Sequence, residues 1–267
     1  MEGVAATAAA TAAGGAPVSI VRMKLSVVTA TFNAAAPLPG LVASLAAQTD
    51  RDFEWVVADG GSTDGTLALL QAAAADGLPL AWRSEPDFGI YDALNKAVRR
   101  ARGTHYLVVG ADDRLDADAV ANFKRLIDDS GADIVTAAVR VGSDRLVARP
   151  RGRPWLNGPR AHVTCHAVGT AFRRSLHDEV GWYVRRYPIT ADLLFIAHAV
   201  RAGARVAEGG FVAGTYAGSG VSATDVAGVL SEFFRVQLEV QPNRPLQLLL
   251  HMLRLLRHAP TLVRPRR

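Results

Sequence analysis

From residue 24 to residue 109 the chain alternates short apolar runs with stretches of helical spacing, a rhythm that few architectures accept. The runs are 24–30 (KLSVVTA), 53–58 (FEWVVA), 78–83 (LPLAWR) and 106–109 (YLVV). Between them, 38–47 sets Leu38, Leu41, Val42 and Leu45 on one face behind Pro37 and Pro39, where proline is tolerated. A second helix is expected after the loop 60–65, ending near Ala75, and a third over 88–102, stopped by Gly103. Short β-branched apolar runs read as buried strands of a parallel sheet. Their alternation with helices predicts a doubly wound α/β sheet.

Each of these strands runs toward a ligand edge, because open α/β sheets bind in the crevice beyond the carboxyl ends of their strands. The fourth run ends in Gly110-Ala111-Asp112-Asp113. Two adjacent carboxylates there are unsuited to a core, and they suit a Mg²⁺ or Mn²⁺ ion, which takes oxygen ligands from carboxylates and substrate phosphates. The competing reading is an N-cap for the next helix, a task that Asp116 or Asp118 serves better. The second run ends in Asp59-Gly60-Gly61-Ser62, where glycines let a ligand approach the backbone. A plain turn is the alternative, with Ser62 or Asp64 capping the helix. No Gly-Lys-Ser/Thr follows, and the first strand lacks G-x-G-x-x-G, so neither a P-loop nor a dinucleotide fingerprint is present. In 85–102 (EPDFGIYDALNKAVRRAR) one helix face carries Asp92, Asn95, Lys96 and Arg99, and the other Ile90, Leu94, Ala97, Val98 and Ala101. That polar face is equally a solvated one with an Asp92–Lys96 pair, and Asp87 equally an N-cap.

Beyond Ala117 the pattern loosens. A helix at 118–129, strands within 133–147 around a turn at 142–144, a loop at 150–159, a strand near 168–172 and helices at 174–181 and 190–202 are expected. The lone His105, His162 and His177 read as surface residues. Among 267 residues, 49% hydrophobic, there is material for a substantial core. The single cysteine, Cys165, excludes an intramolecular disulfide and fits a reducing compartment. The net charge of +5 lies on the C-terminal segment: from Gln241 onward there are six Arg, no Lys and no acid, which leaves −1 on the rest. A nucleic-acid-binding body would carry that charge itself, so no nucleic-acid partner is expected. The first 22 residues, rich in Ala, Thr and Gly, read as disordered and lack the cationic start and apolar core of a secretory signal. Met23, just before the first strand, is an alternative start. No run of about 18 apolar residues suggests a spanning helix.

Taken together, SVVTATFN, WVVADGGSTDGT, SEPDFGIYDALNKAVRRARG and YLVVGADD, with HVTCHAVGTAFRRSL and ITADLL further on, resemble the family 2 inverting glycosyltransferases of the GT-A fold, bacterial surface-polysaccharide type. The resemblance spans about residues 25–222. It implies a mostly parallel central sheet with helices on both faces and C-terminal helices. It also implies a catalytic domain at 23–222, with a nucleotide-sugar half at 23–115 and an acceptor half at 116–222, followed by a helical basic tail at 223–267. Thr31 and Asp59 would border the nucleoside, and Asp87, Asn95 and Lys96 would line the nucleotide-sugar cleft. Asp112 would stand near the ribose or sugar, and Asp113 would ligate Mn²⁺ or Mg²⁺. Asp192 falls where this family carries its general base, and His166 near the acceptor. Four departures stand out: Gly110 replaces the first acid of a full DXD, Gly60 a second acid, Cys165-His166-Ala167 a Cys-His-Gln, and Leu193 and Leu194 the aromatic or acidic residues that often follow the base, so that Asp192 is alternatively a cap of its helix. The expected activity is sugar transfer, of hexosyltransferase type, from a nucleotide-diphosphate donor to a glycan or lipid-linked saccharide. A donor-binding scaffold without turnover and a nucleotidyltransferase of similar fold are the alternatives.

The tail places Gln247, His251, Arg254 and His258 in a narrow polar stripe, with Leu246, Leu249, Leu250, Leu253 and Leu256 on a broad apolar face. This reads either as a basic interfacial helix at the inner face of the plasma membrane of a cytoplasmic protein or as a helix docked on the catalytic domain or a second subunit.

Overall fold

A computed structural model of the chain describes residues 23–263 except 143, 144, 148, 149, 151, 165 and 219. The expectations for residues 1–22 and for Cys165 lie outside the described residues. The order of elements is β1 (Leu25–Thr31), α1 (Leu38–Ala46), β2 (Glu54–Asp59), α2 (Thr66–Ala75), β3 (Leu80–Ser84), α3 (Ile90–Arg100), β4 (His105–Val108), β5 (Arg114–Leu115), α4 (Ala119–Ser130), β6 (Ile134–Val141) and β7 (Arg145–Val147). Then follow α5 (Pro154–Asn157), β8 (Thr170–Arg173), α6 (Leu176–Val180), α7 (Ala191–Arg201), β9 (Val206–Tyr216), α8 (Val221–Thr224), α9 (Val226–Val240) and α10 (Arg244–Val263), with single 3₁₀ turns at Gly158–Ala161 and Ala167–Gly169.

One sheet runs in the order β3-β2-β1-β4-β8-β6-β9-β5, with β7 paired to β6. β1 to β4 are mutually parallel, β8 is antiparallel to β4 and to β6, and β9 runs parallel to β6. The strand alternation of side chains supplies two cores. Val27, Trp55, Val57, Leu107 and Val109 meet Leu38, Leu41, Leu45, Leu70 and Phe123 from α1, α2 and α4. Val28, Val56, Ala58, Tyr106 and Val108 meet Leu94, Val98, Phe195 and Val236 from α3, α7 and α9. Strands buried on both faces have no polar alternation to show, which is why β1, β2 and β4 appear in the sequence as continuous apolar runs, whereas β3 is the edge strand and its middle residues Ala81, Trp82 and Arg83 are exposed.

The halves of the sheet are held by buried polar pins. Gln48, at the end of α1, donates to the carbonyls of Ser44 and Asp116, each at 2.9 Å, and accepts from the first-turn amide of α4 at Val120, 3.1 Å away. At the amino edge, the Glu54 carboxylate accepts from Ser26 Oγ at 2.6 Å, from Arg102 Nε at 2.9 Å, and from the amides of Arg102 and Gly103. Burial alone would raise its pKa, and these donors hold it below the ordinary value.

Two histidines expected at the surface are core residues. His105 is 6% exposed and His177 2%. His177 lies between Trp182 and Phe195, with ring centroids 4.5 and 4.3 Å away, and meets the Tyr106 hydroxyl at 2.7 Å. Burial drops its pKa to about 4, so it packs as a neutral ring. Because Glu54 gathers four donors in a site closed to water, Glu54→Ala should lower stability by roughly 2–3 kcal/mol, measured by urea denaturation. A loss within experimental error would remove the pin from this account.

Candidate active site

Register brings the strand ends level. Thr31 pairs with Asp59 across β1 and β2, Asp59 with Ser84 across β2 and β3, and Val28 with Val108 across β1 and β4. Neighbouring strands lie about 4.8 Å apart, so the loops carrying Phe32, Gly60, Asp87 and Gly110–Asp113 leave from a single edge. Asp59 and Asp113, distant in sequence, therefore stand at the same edge of the sheet.

Asp59 is 1% exposed. Its Oδ1 accepts from Thr31 Oγ1 at 2.8 Å and Ser62 Oγ at 2.5 Å. Its Oδ2 accepts from the amides of Gly61 and Ser62 at 3.0 and 2.9 Å and from Ser84 Oγ at 2.7 Å. Burial works against ionisation here, but the hydrogen bonds from Ser62, Ser84 and Thr31 outweigh it and keep the carboxyl ionised below the usual range. Thr31 and Asp59 thus build the cleft floor by fixing three strand ends. Ser62 and Ser84, whose bonds to Asp59 no sequence pattern announces, complete that floor.

Asp87 stands beside it. Its Oδ1 accepts from the Gly89 amide at 2.8 Å, and its Oδ2 lies 2.6 Å from the point where a Cβ on Gly60 would stand. Glycine at position 60 therefore makes the space that Asp87 enters. Lys96 braces this loop from α3, donating to the Pro86 carbonyl at 2.8 Å, with Asp92 at 3.2 Å and Glu85 at 3.6 Å. Asn95 is buried, and its amide donates to the Tyr183 carbonyl at 2.8 Å and accepts from the Tyr183 amide at 3.1 Å. It fixes the 183 segment against α3. Phe88 and Ile90 are 78% and 54% exposed. The apolar face expected for Ile90 thus begins only at Tyr91, and Arg185 rather than the core covers Phe88, its guanidinium 4.4 Å from the ring centroid.

Asp112 and Asp113 differ in burial. Asp113 is 4% exposed, with Oδ2 accepting from the Gly110 amide and Oδ1 from the Ala217 amide, both at 3.1 Å. Asp112 is half-buried. A Cβ on Gly110 would stand 2.8 Å from Asp112 Oδ1 and 2.9 Å from Asp113 Oδ2. The two oxygens converge on one small space that the glycine leaves open. Two hard anionic oxygens around such a cradle fit Mg²⁺ or Mn²⁺, whose remaining positions go to phosphate and water. Among the described residues no cluster of three His, Cys, Asp or Glu is placed to hold a metal.

Asp192 lies in the first turn of α7 and accepts from the Tyr91 hydroxyl at 2.8 Å. That hydroxyl also faces the Ile189 carbonyl at 2.9 Å. With one proton to give, it favours the charged acceptor. Burial raises the Asp192 pKa, and the Tyr91 bond offsets part of that rise. Asp192 is thereby joined to the first turn of α3, directly after the Asp87 loop. Tyr91 is the positioning residue that the sequence reading passed over, although it sits inside the long central motif. His166 stacks on Tyr216 at 4.0 Å between centroids. The Tyr216 hydroxyl has its pKa raised by burial and by the charges of Asp113 and Asp112, which places His166 on the carboxylate side of the cleft.

A sheet of this order is the GT-A arrangement, and solved structures share the fold. The chain superposes with TM-score 0.67 on S. aureus TarS 1–349 in complex with UDP-GlcNAc, at 21% identity, over 89% of this chain and 73% of that one. It superposes with TM-score 0.63 on the mannosyltransferase PcManGT from Pyrobaculum calidifontis in complex with GDP-Man and Mn²⁺, at 22% identity, over 90% and 76%. Residues 26–184 match the family model described as Glycosyl transferase family 2, and the chain belongs to that family. A PGL/p-HBAD biosynthesis glycosyltransferase of Mycobacterium bovis is 35% identical over 181 residues, covering 62% of this chain and 66% of the relative. An uncharacterized glycosyltransferase of Mycobacterium tuberculosis is 35% identical over 185 residues, covering 66% and 68%.

The buried Asp113 gives this edge a pH signature. In the cation-free protein burial pushes its carboxyl up from 3.8 to about 6, with the Asp112 charge adding to the rise against the pull of the two amides. A folded pKa above the unfolded one means that the associated stability is complete below about pH 4 and is lost as pH rises through 6. Asp113→Asn removes the titrating group and should therefore flatten the dependence of Tm on pH between about pH 4 and about pH 7. An unchanged pH slope in the variant would contradict this.

Proposed function

We propose that the chain is a nucleotide-sugar-dependent glycosyltransferase that transfers with inversion, using Asp192 as the base. What supports this reading is the set of acids on the strand ends and the loops that follow them: a saturated Asp59, Asp87 beside Gly60, a cradle between Asp112 and Asp113, and Asp192 joined through Tyr91 to the helix after the Asp87 loop. The chain spans 66% of the length of its mycobacterial relative, so the reading is argued from the chain's own residues.

The nucleoside of the donor lies over the edge formed by Thr31, Phe32 and Asp59, and its diphosphate points toward Asp112 and Asp113. A bound Mn²⁺ or Mg²⁺ would neutralise charge developing on the departing diphosphate. Asp87, with Lys96 bracing its loop, lines the sugar side. As the acceptor oxygen attacks the anomeric carbon, the bond to the diphosphate breaks and the hydroxyl proton passes to Asp192. No covalent sugar–protein species is needed. A carboxylate with a raised pKa is a stronger base than an exposed one, and its hydrogen bond to Tyr91 keeps it aimed and charged. The acceptor class that fits a family member with this site is a glycan or a lipid-linked saccharide, with His166 on its side of the cleft. The nucleotidyltransferase alternative lacks a basic residue in the loop after β1, where residues 29–36 contain none.

Two measurements test the assignment. Asp192→Asn should lose transfer by about 10²–10⁴-fold while a thermal-shift panel of UDP-, GDP- and dTDP-sugars with Mn²⁺ still shows the wild-type donor response. Retained turnover would remove Asp192 from the reaction, and silence of the wild type toward every donor would remove the donor class. Tyr91→Phe deletes a hydrogen bond that holds the Asp192 pKa down, so the acidic limb of the pH–kcat profile should move to higher pH. An acidic limb that stays in place would show that Tyr91 does not act through this carboxyl.

A further inference from the structure

Helix α10 is built inside out relative to an ordinary surface helix, which turns its apolar stripe toward the core. Beside the half-buried Leu246 and Leu250, the side chains it turns inward form a polar stripe. Gln247 is buried, donates to the Trp155 carbonyl at 2.8 Å and accepts from Gln237 at 3.2 Å. His251 lies flat on Phe234 with centroids 4.2 Å apart. Arg254 donates to the Leu156 carbonyl at 2.5 Å and stands 4.9 Å from the Phe233 ring centroid. The outward side chains are apolar: Leu248, Leu249, Met252, Leu253 and Leu256 form one face at helical spacing and are 52–69% exposed. Rolling the helix to hide them would break the bonds of Gln247 and Arg254 and leave buried polar groups unpaired. The docking on the body expected for this segment and the exposure of a leucine face thus hold together.

We infer that α10 seats the protein on an anionic lipid surface, with the leucine face entering the acyl boundary. A continuous exposed apolar face marks an interaction site, and charge selects its occupant. From Gln241 onward the chain has six Arg and no acid, and Arg244 and Arg257 are exposed. A two-fold contact between copies would set this basic patch against itself, whereas anionic headgroups neutralise it. The helix, 20 residues long, would lie in the plane of the surface: no described helix is long and apolar enough to cross a membrane.

The full chain should sediment with vesicles of phosphatidylcholine and phosphatidylglycerol in equal parts, less with phosphatidylcholine alone, and less as salt rises. The triple variant Leu249→Ser, Leu253→Ser, Leu256→Ser should lose vesicle partitioning by on the order of 100-fold, with far-UV circular dichroism and Tm unchanged because these positions face solvent. The pair Arg244→Gln and Arg257→Gln should lose it roughly tenfold, and this pair carries the test alone if the triple variant fails to fold. Wild-type protein that stays in the supernatant with both vesicle types overturns the inference, as do variants that sediment like the wild type. A wild-type dimer by light scattering that binds no vesicle and becomes monomeric in the triple variant would overturn it in favour of a second copy.

Discussion

Five donors converge on the carboxylate of Asp59, from Thr31, Gly61, Ser62 twice and Ser84, and the rest of the cleft is measured from that knot. The carboxylate ties the last residues of β1, β2 and β3 to one another and pins the loop that carries Gly60. With that loop fixed, Asp87 has a defined place to enter, and the turn into α3 follows from it. A carboxylate has room for about four acceptor directions, so this one is saturated by the protein. Its influence on a bound nucleotide passes through the surfaces it holds still.

From α3 the order spreads to the opposite wall. Tyr91 packs against Tyr183, with centroids 5.5 Å apart, and Tyr183 shares a hydrogen bond of 2.7 Å with Tyr106 of β4. Tyr106 in turn meets the neutral His177. Burial pushes the phenols of Tyr91, Tyr106 and Tyr183 above the ordinary range, so all three hydroxyls stay protonated. The carboxyl of Asp192 therefore rests on a chain of rings that reaches back to the middle of the sheet. A fully satisfied buried network of this kind favours one arrangement over many.

Sequence legibility followed burial. β1, β2 and β4 are readable because both of their faces are covered, β3 is readable from its place in the strand–helix rhythm although it is the exposed edge, and the acids after β2 and β4 are readable because a core has no use for them. Asn95 and Lys96 were placed correctly on α3, but periodicity carries no signal that the Asn95 amide closes on the backbone of Tyr183, which is distant in sequence. Lone histidines were read as exposed for want of visible partners, and the aromatic neighbours of His177 come from three separate elements. β9 went unread because Gly209, Gly210 and Gly214 interrupt its pattern. Yet a Cβ on Gly214 would stand 2.1 Å from the Arg114 carbonyl, so the glycine that hides the strand is also what lets β5 pair with it. The tail helix was visible as amphipathic, but amphipathicity alone does not say which side faces inward.

The Ala217 amide that bonds to Asp113 arrives more than a hundred residues after the carboxylate it serves. It follows directly on β9, whose pairing with β6 shifts register twice between Thr136 and Val139 and so bends the strand. A chain emerging from the ribosome has therefore displayed the whole edge formed by β1 to β4 before the piece that completes the donors of Asp113 is made. A message cut short between residue 184, where the family match ends, and that point would yield a polypeptide carrying the recognisable family signature and an acid with only half of its donors.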